Sequence, residues 1–378
     1  MIAVVVLEVL AKYNVMLVPI QLENAHEGVG SITLRNDGND VEELTLKILG
    51  IKEAVLEEFV RKNIQALFPE GETLLIVGQQ PKNKAGGRAD LVAVDGKGNI
   101  VLVEIKRDVE DIVARKEPFE FQAIRYAANY ALITTPQDLI QKLFAPYIEK
   151  HKGEYELHGL TSSELASRLL LDYLKENNAE NTFNAHQRIV LIASAFDPQT
   201  RSACAWLAKN KIDIRCLQLS PIKYKAQHFF NIDQIIPPPS LDQYFVEIAD
   251  PSDPKGKTDK QKGSSISKAN LPKMPQLFEW KLVAPGDPIY IKGHELDIAR
   301  IRDQYHVEYH DQPMTYNAWG QKVTSWSAIN IYEWTIHKPT GQTLDELRRS
   351  KQEQIEQELV EPVPDTMMGL PANAMDDQ

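Results

Sequence analysis

Asp90, Glu104 and Lys106 are spaced so that two carboxylates and an amine would meet at one end of a β-hairpin. The chain runs Gly87, Arg88, Ala89, Asp90, then apolar from Leu91 to Val94, then Asp95, Gly96, Lys97, Gly98 and Asn99, then apolar from Ile100 to Val103, then Glu104, Ile105 and Lys106. Two apolar runs around a cluster of Gly, Asp and Asn predict a hairpin. A turn centred on Lys97 pairs Val94 with Ile100, Val92 with Leu102 and Asp90 with Glu104. Opposed side chains in such a ladder have Cβ atoms about 4.5 to 5.5 Å apart, so one hard cation could be shared by both carboxylates. Lys106, two residues past Glu104, falls on the same face. A cation held this way polarises a phosphoryl oxygen and acidifies a bound water, and an ammonium beside it stabilises the developing charge. The same residues would also serve a plain cross-strand ion pair, so the neighbouring elements decide between the readings.

Those elements are legible as periodicities. Leu56, Phe59, Val60, Ile64 and Leu67 recur at helical spacing between Ile51 and Phe68, and Glu53 and Glu57 lie one turn apart beside that stripe. Glu53 or Glu57 could supply a further acid to the metal, and Glu58 on the same helix is a third candidate. Thr73 to Gln80 reads as a strand, followed by a basic loop with Lys82, Lys84 and Arg88, and Arg107 lies just beyond the hairpin. Pro118 to Leu132 reads as a second helix carrying Gln122 and Tyr126 four residues apart and so on one face. Residues 137–178 form a helical insertion. Arg188 to Ser194 and Asp213 to Leu219 are strands, separated by a helix that Asp197 caps and that ends near Lys209. Both hairpin strands are apolar on both faces, which predicts an α/β core: a mixed sheet sandwiched by helices.

Taken together, Glu57, the Gly87–Asp90 run, Glu104-Ile105-Lys106 and the Gln122-to-Tyr126 helix resemble the PD-(D/E)XK nuclease superfamily, in particular the nuclease domain of NucS-like endonucleases, over about residues 45–245. The resemblance implies a restriction-endonuclease-like core in which Asp90, Glu104 and Glu57 bind Mg²⁺ or Mn²⁺. It implies that Lys106 orients or activates the attacking water and that Gln122 and Tyr126 complete the catalytic set. It further implies a divalent-metal-dependent DNA endonuclease of restriction or repair, acting on double-stranded or branched DNA that Lys82, Lys84, Arg88 and Arg107 would contact, with homodimerisation an open option. The short N-terminal segment, 1–45, is too small for the separate DNA-binding domain of NucS, so that family's specificity is not carried over. A non-catalytic DNA-binding scaffold and an RNA nuclease are the alternatives.

After residue 245 the composition changes. Residues 246–275 form a basic linker rich in Lys, Ser, Gly and Pro. Residues 276–349 hold four of the five tryptophans and resemble a small α+β module of the RAMA type, which implies recognition of DNA, modified bases included, with Trp319 and Trp326 as stacking residues. Thr343 and Glu346 form a capping box, and 350–378 is an acidic tail expected to be partly disordered. Net charge is −11, but the chain from Arg349 onwards contributes −5 of it, so the remainder is compatible with a polyanionic partner. Only two cysteines, Cys204 and Cys216, occur, and the apolar N-terminal run is broken by Glu8. A cytoplasmic protein without a membrane span is expected. His306, Glu308 and His310 alternate as ligands on a strand face would, without a further Cys or His at zinc spacing.

Overall fold

The computed structural model describes residues 20–23, 31–34, 41–43, 45–68, 71–82, 87–108, 112, 117–224, 227–238 and 271–360. Lys84, the basic linker and the tail beyond Val360 lie outside them. The strands β1 (Ile20–Glu23) and β2 (Ser31–Leu34) pair with each other, whereas β3 (Val41–Glu43) joins the main sheet. The boundary expected at residue 45 therefore does not isolate the N-terminal segment.

The main sheet is built on the hairpin of β4 (Leu74–Gln79), β5 (Leu91–Asp95) and β6 (Ile100–Ile105), in antiparallel order. β6 then runs parallel to β7 (Gln187–Ala193), and β7 parallel to β8 (Ile214–Tyr224). β9 (Gln227–Ile236), which the sequence reading overlooked, pairs antiparallel with β8, as does β3. Every residue of β5 and β6 is buried, so both faces of these strands are covered, as their apolar runs require. Among the covering helices, α1 (Glu53–Lys62) packs on β6 and α2 (Phe119–Tyr130) on β6 and β7. The insertion comprises α3 (Pro136–Leu139), a π-helical turn at Ile140–Phe144, α4 (Ala145–Lys150) and α5 (Ser162–Glu176). Tyr173 of α5 donates to the carbonyl oxygens of Thr73 (3.1 Å) and Val94 (3.0 Å), pinning the insertion to the hairpin. Asp197 caps α6 (Pro198–Lys209) by accepting from the Gln199 and Thr200 amides.

The hairpin's turn is locked from inside and outside. The Asp95 carboxylate accepts from the Lys97 and Asn99 amides, each at 2.9 Å, and Gly98 sits at φ +82° with no room for a side chain beside the Ala179 carbonyl. Arg188 of β7 then bridges Asp95 (3.0 Å), Glu72 (2.9 Å) and Asp213 (3.1 Å), with Arg215 also on Glu72. Burial alone would raise the Glu72 carboxyl's pKa, but the two guanidiniums hold it below the usual range. This network fixes the end of the hairpin opposite to Asp90 and Lys106.

The C-terminal part comprises α7 (Met274–Glu279), β10 (Pro288–Ile291), β11 (His294–Ile301), β12 (His306–Tyr309), β13 (Gln312–Thr315), α8 (Tyr316–Thr324), α9 (Ile331–Trp334), β14 (Thr335–His337), β15 (Gln342–Thr343) and α10 (Leu344–Val360). Its sheet runs β13-β12-β11-β10-β14-β15. The Thr343–Glu346 capping box forms, with reciprocal bonds of 2.9 and 3.1 Å. Arg348 and Arg349 pair with Asp345, and the helix continues through residues assigned above to the tail. Leu74 exchanges backbone hydrogen bonds with Ala328, and the Ile76 amide donates to Ser327 Oγ at 2.9 Å, so this segment covers the outer edge of β4.

Arg188→Met removes the cation shared by buried Asp95 and half-buried Glu72, leaving Glu72 only Arg215, and should destabilise the chain by about 3 to 5 kcal/mol in urea denaturation. A loss near zero would show that the network does not hold the turn.

Candidate active site

The register of the hairpin is the one predicted: Val94 pairs with Ile100, Val92 with Leu102 and Leu91 with Val103. The ladder ends there, one step short of Asp90 and Glu104, which corrects the expectation of a direct cross-strand pair. Asp90 instead turns its carboxylate onto the opposite backbone, where Oδ2 accepts the Ile105 N–H at 2.7 Å. Its own carbonyl accepts from the Gln80 amide at 2.9 Å, so Asp90 stitches three strands at their ends. Glu104 is fully buried, and its charge, after burial itself, raises the pKa of the Tyr130 hydroxyl on α2.

Lys106 is only 1% exposed. Its ammonium donates to the Ile105 carbonyl, reaches Glu53 Oε1 at 3.2 Å and Asp90 Oδ2 at 3.9 Å, and lies 5.5 Å from the centre of the Phe119 ring. The structure thus brings Lys106 and Asp90 together, and assigns Lys106 a partner, Glu53, that the sequence left as one of three alternatives. Glu57 is also buried, and its two oxygens are held by neutral amides: Gln79 Nε2 donates to Oε1 at 2.9 Å and Gln80 Nε2 to Oε2 at 2.7 Å. Glu58 serves a different purpose, pairing with Arg61, which also binds Glu154 and Tyr147 of the insertion. That pairing, chiefly the Arg61 hydrogen bond, lowers the Glu58 carboxyl to about 2.

The electrostatics centre on Asp90, whose pKa is pushed up to about 6. Burial is the main cause; the Lys106 charge and the Ile105 N–H oppose it, while the negative charges of Glu57 and Glu53 add to it. Three acids thus lie within electrostatic reach of one another, offset by Lys106. Such an all-oxygen set with surplus negative charge suits a hard divalent cation bound by one or two carboxylates, with water or phosphate completing its shell. The three-carboxylate cluster of Asp90, Glu104 and Glu57 expected from the sequence is not assembled: among the described residues, no group of three or more His, Cys, Asp and Glu side chains is placed to hold a metal. The same finding removes the His306, Glu308 and His310 set, in which His306 pairs with Asp303 and His310 stacks on Tyr309.

Gln122 and Tyr126 share a face of α2, with Gln122 Nε2 donating to Tyr126 Oη at 3.4 Å. Tyr126 Oη also accepts the Arg88 N–H at 3.2 Å, which ties α2 to the backbone two residues before Asp90. Of the basic candidates, Lys82 and Arg88 bridge through their backbones across the loop and are exposed, and Arg107 pairs with Asp108 at 3.0 Å. The two tryptophans are corrected. Trp319 is fully buried, and Trp326 stands edge-on between Tyr173 (5.2 Å) and Trp334 (4.7 Å), so both rings are core and neither offers a face to a base. Cys204 and Cys216 are buried free thiols. Sequence reasoning missed Gln79 and Gln80; two amides directly after the apolar run of β4 were the available signal.

No protein-family profile matches the chain, and no curated protein matches it by sequence. Among solved structures, the chain is similar to the crystal structure of a repair endonuclease from Pyrococcus abyssi, at 19% identity and a TM-score of 0.21 over 44% of this chain and 47% of that one. It is also similar to the structure of an EndoMS-dsDNA2 complex, at 15% identity and a TM-score of 0.22 over 53% of this chain and 65% of that one. The likeness therefore spans about half to two thirds of those chains, and at these TM-scores it establishes neither fold nor activity. Among the described residues, no helix is long and apolar enough to cross a membrane.

Folded Asp90 titrates near pH 6 against a usual value of 3.8, so the folded chain binds more protons between those values and loses stability as pH rises through them. Asp90→Asn, whose amide oxygen can still accept from Ile105, should exceed the parent's stability above about pH 6 by on the order of 2 kcal/mol. Near about pH 4 the advantage should vanish, which urea denaturation at the two pH values will check. An advantage independent of pH would contradict the assignment.

Proposed function

We propose that the chain is a divalent-metal-dependent DNA endonuclease whose active site is the open end of the β5–β6 hairpin. The observation that carries this reading is the meeting of buried Lys106 with Asp90 and Glu53, beside a Glu57 that amides hold without neutralising. A lysine almost wholly withdrawn from water beside several acids is costly to maintain for stability alone. The same arrangement is what phosphodiester hydrolysis uses. Asp90 and Glu57 would hold Mg²⁺ or Mn²⁺. When bound, such a cation polarises the phosphoryl oxygen and acidifies a water.

Lys106 donates toward the same phosphate or orients the attacking water, and Glu53 holds its ammonium in place beforehand. Tyr126 and Gln122 keep the Arg88–Asp90 backbone in register with α2. Exposed Lys82 and Arg88 flank the site in sequence and would contact the DNA backbone, where positive side chains neutralise phosphate charge. A role in restriction or repair, and recognition of DNA by the C-terminal part through groups other than Trp319 and Trp326, belong to the same proposal.

A second reading, a DNA-binding protein that keeps the scaffold without the chemistry, is favoured by one observation: no three-ligand metal cluster forms among the described residues. A panel of unmodified, methylated, hydroxymethylated and branched DNA, with RNA alongside, incubated with Mg²⁺ or Mn²⁺, separates the two. The expected result is metal-dependent cleavage that falls by about 10²-fold or more in Asp90→Ala and in Lys106→Ala. Binding without cleavage in any lane, or cleavage that survives both substitutions, would overturn the assignment.

A further inference from the structure

Gln79 and Gln80 lie where β4 gives way to the loop before Asp90, and both side chains end on Glu57. Their donors are divided, Gln79 Nε2 to Oε1 and Gln80 Nε2 to Oε2, so the carboxylate plane is fixed at two points. Neither amide brings charge, so Glu57 keeps its full attraction for a cation. An arginine in the same place would bind the carboxylate as well but would cancel that charge.

Each glutamine is in turn constrained. Gln79 Oε1 accepts from Lys150 Nζ at 3.0 Å and from His151 Nε2 at 2.8 Å, both on the insertion. Two donors on that oxygen leave only the amide nitrogen to face Glu57, which settles the orientation of the amide. Gln80 holds a left-handed backbone at φ +51°, a conformation few side chains other than glycine, asparagine and aspartate adopt readily. Its N–H meanwhile donates to the Asp90 carbonyl at 2.9 Å. One strained residue therefore grips the backbone of Asp90 and the carboxylate of Glu57 together. Strain of this kind persists where surrounding contacts enforce it and is concentrated at functional sites.

From this geometry we infer that Gln79 and Gln80 are positioning residues, which aim the Glu57 carboxylate at the cation shared with Asp90, and that the insertion enters the site through Lys150, His151 and Gln79. The inference rests on the metal-site reading above and names the residues that make it precise. Partners that orient a metal-binding carboxylate in this way change metal affinity or activity by about 10- to 100-fold when removed.

The test is Mn²⁺ titration by calorimetry on the full chain, with thermal melts of each variant. Gln80→Gly deletes the amide at a left-handed position that glycine adopts without strain, so it should stay folded with a single cooperative melt yet bind Mn²⁺ about tenfold more weakly. Gln79→Leu should weaken binding comparably. In a Glu57→Gln background, neither substitution should weaken Mn²⁺ binding further, because both act through Glu57; a merely structural effect would persist there. Parent-like Mn²⁺ affinity in both glutamine variants, or additive losses with Glu57→Gln, would overturn the inference while leaving the metal site standing. Absence of Mn²⁺ binding by the parent would overturn the metal-site reading, and the inference with it.

Discussion

The carboxylate of Asp90, accepting the Ile105 N–H across the open end of the hairpin, is the constraint around which the site is organised. It closes β5 onto β6 beyond the last ladder pair, and its carbonyl holds Gln80 and so the end of β4. The other end of the hairpin is fixed by Asp95 and Arg188. With both ends tied, the strands between them are wholly apolar and buried, and the charges are confined to the two extremities. One extremity is an ion network in which two arginines face three carboxylates. At the other, acids outnumber the lysine they surround.

That imbalance is the physical content of the candidate site. Burial and neighbouring carboxylates raise Asp90 toward neutrality, and Lys106 with the Ile105 N–H only partly restores its charge. A fold optimised for stability would replace such a group with apolar side chains, since buried ion pairs seldom repay their desolvation. Natural chains keep such arrangements where activity depends on them, and the cost is borne by the rest of the core. Here the core includes the hairpin, the Tyr173 clamp from the insertion, and the aromatic contact of Tyr173 with Trp326.

Much of this was legible in the order of residues. The symmetry of the turn about Lys97 predicts the register because side chains alternate with a strict period of two, and helical spacing puts Gln122 and Tyr126 on one face for the same kind of reason. Asp197 and the Thr343–Glu346 box are local signals, and both caps form. What escaped depends on contacts between distant segments. Glu53, Glu57 and Glu58 are indistinguishable as three acids on one helix until Lys106, the glutamine amides and Arg61 each select one. β9 is mixed in polarity and adds to β8 through backbone pairing, which its side chains do not announce. The tryptophans suggested base stacking because aromatic residues in a small module serve either a core or a ligand. Burial of Trp319 and the docking of Trp326 against Tyr173 decide for the core.

Asp90, on this reading, is a ligand of a divalent cation. The most direct measurement is an anomalous difference map from a crystal of the full chain soaked in Mn²⁺. The expected result is a single strong peak bonded to the Asp90 carboxylate at about 2.0 to 2.3 Å. A map without a peak at Asp90, from crystals in which the carboxylate is ordered, would contradict it.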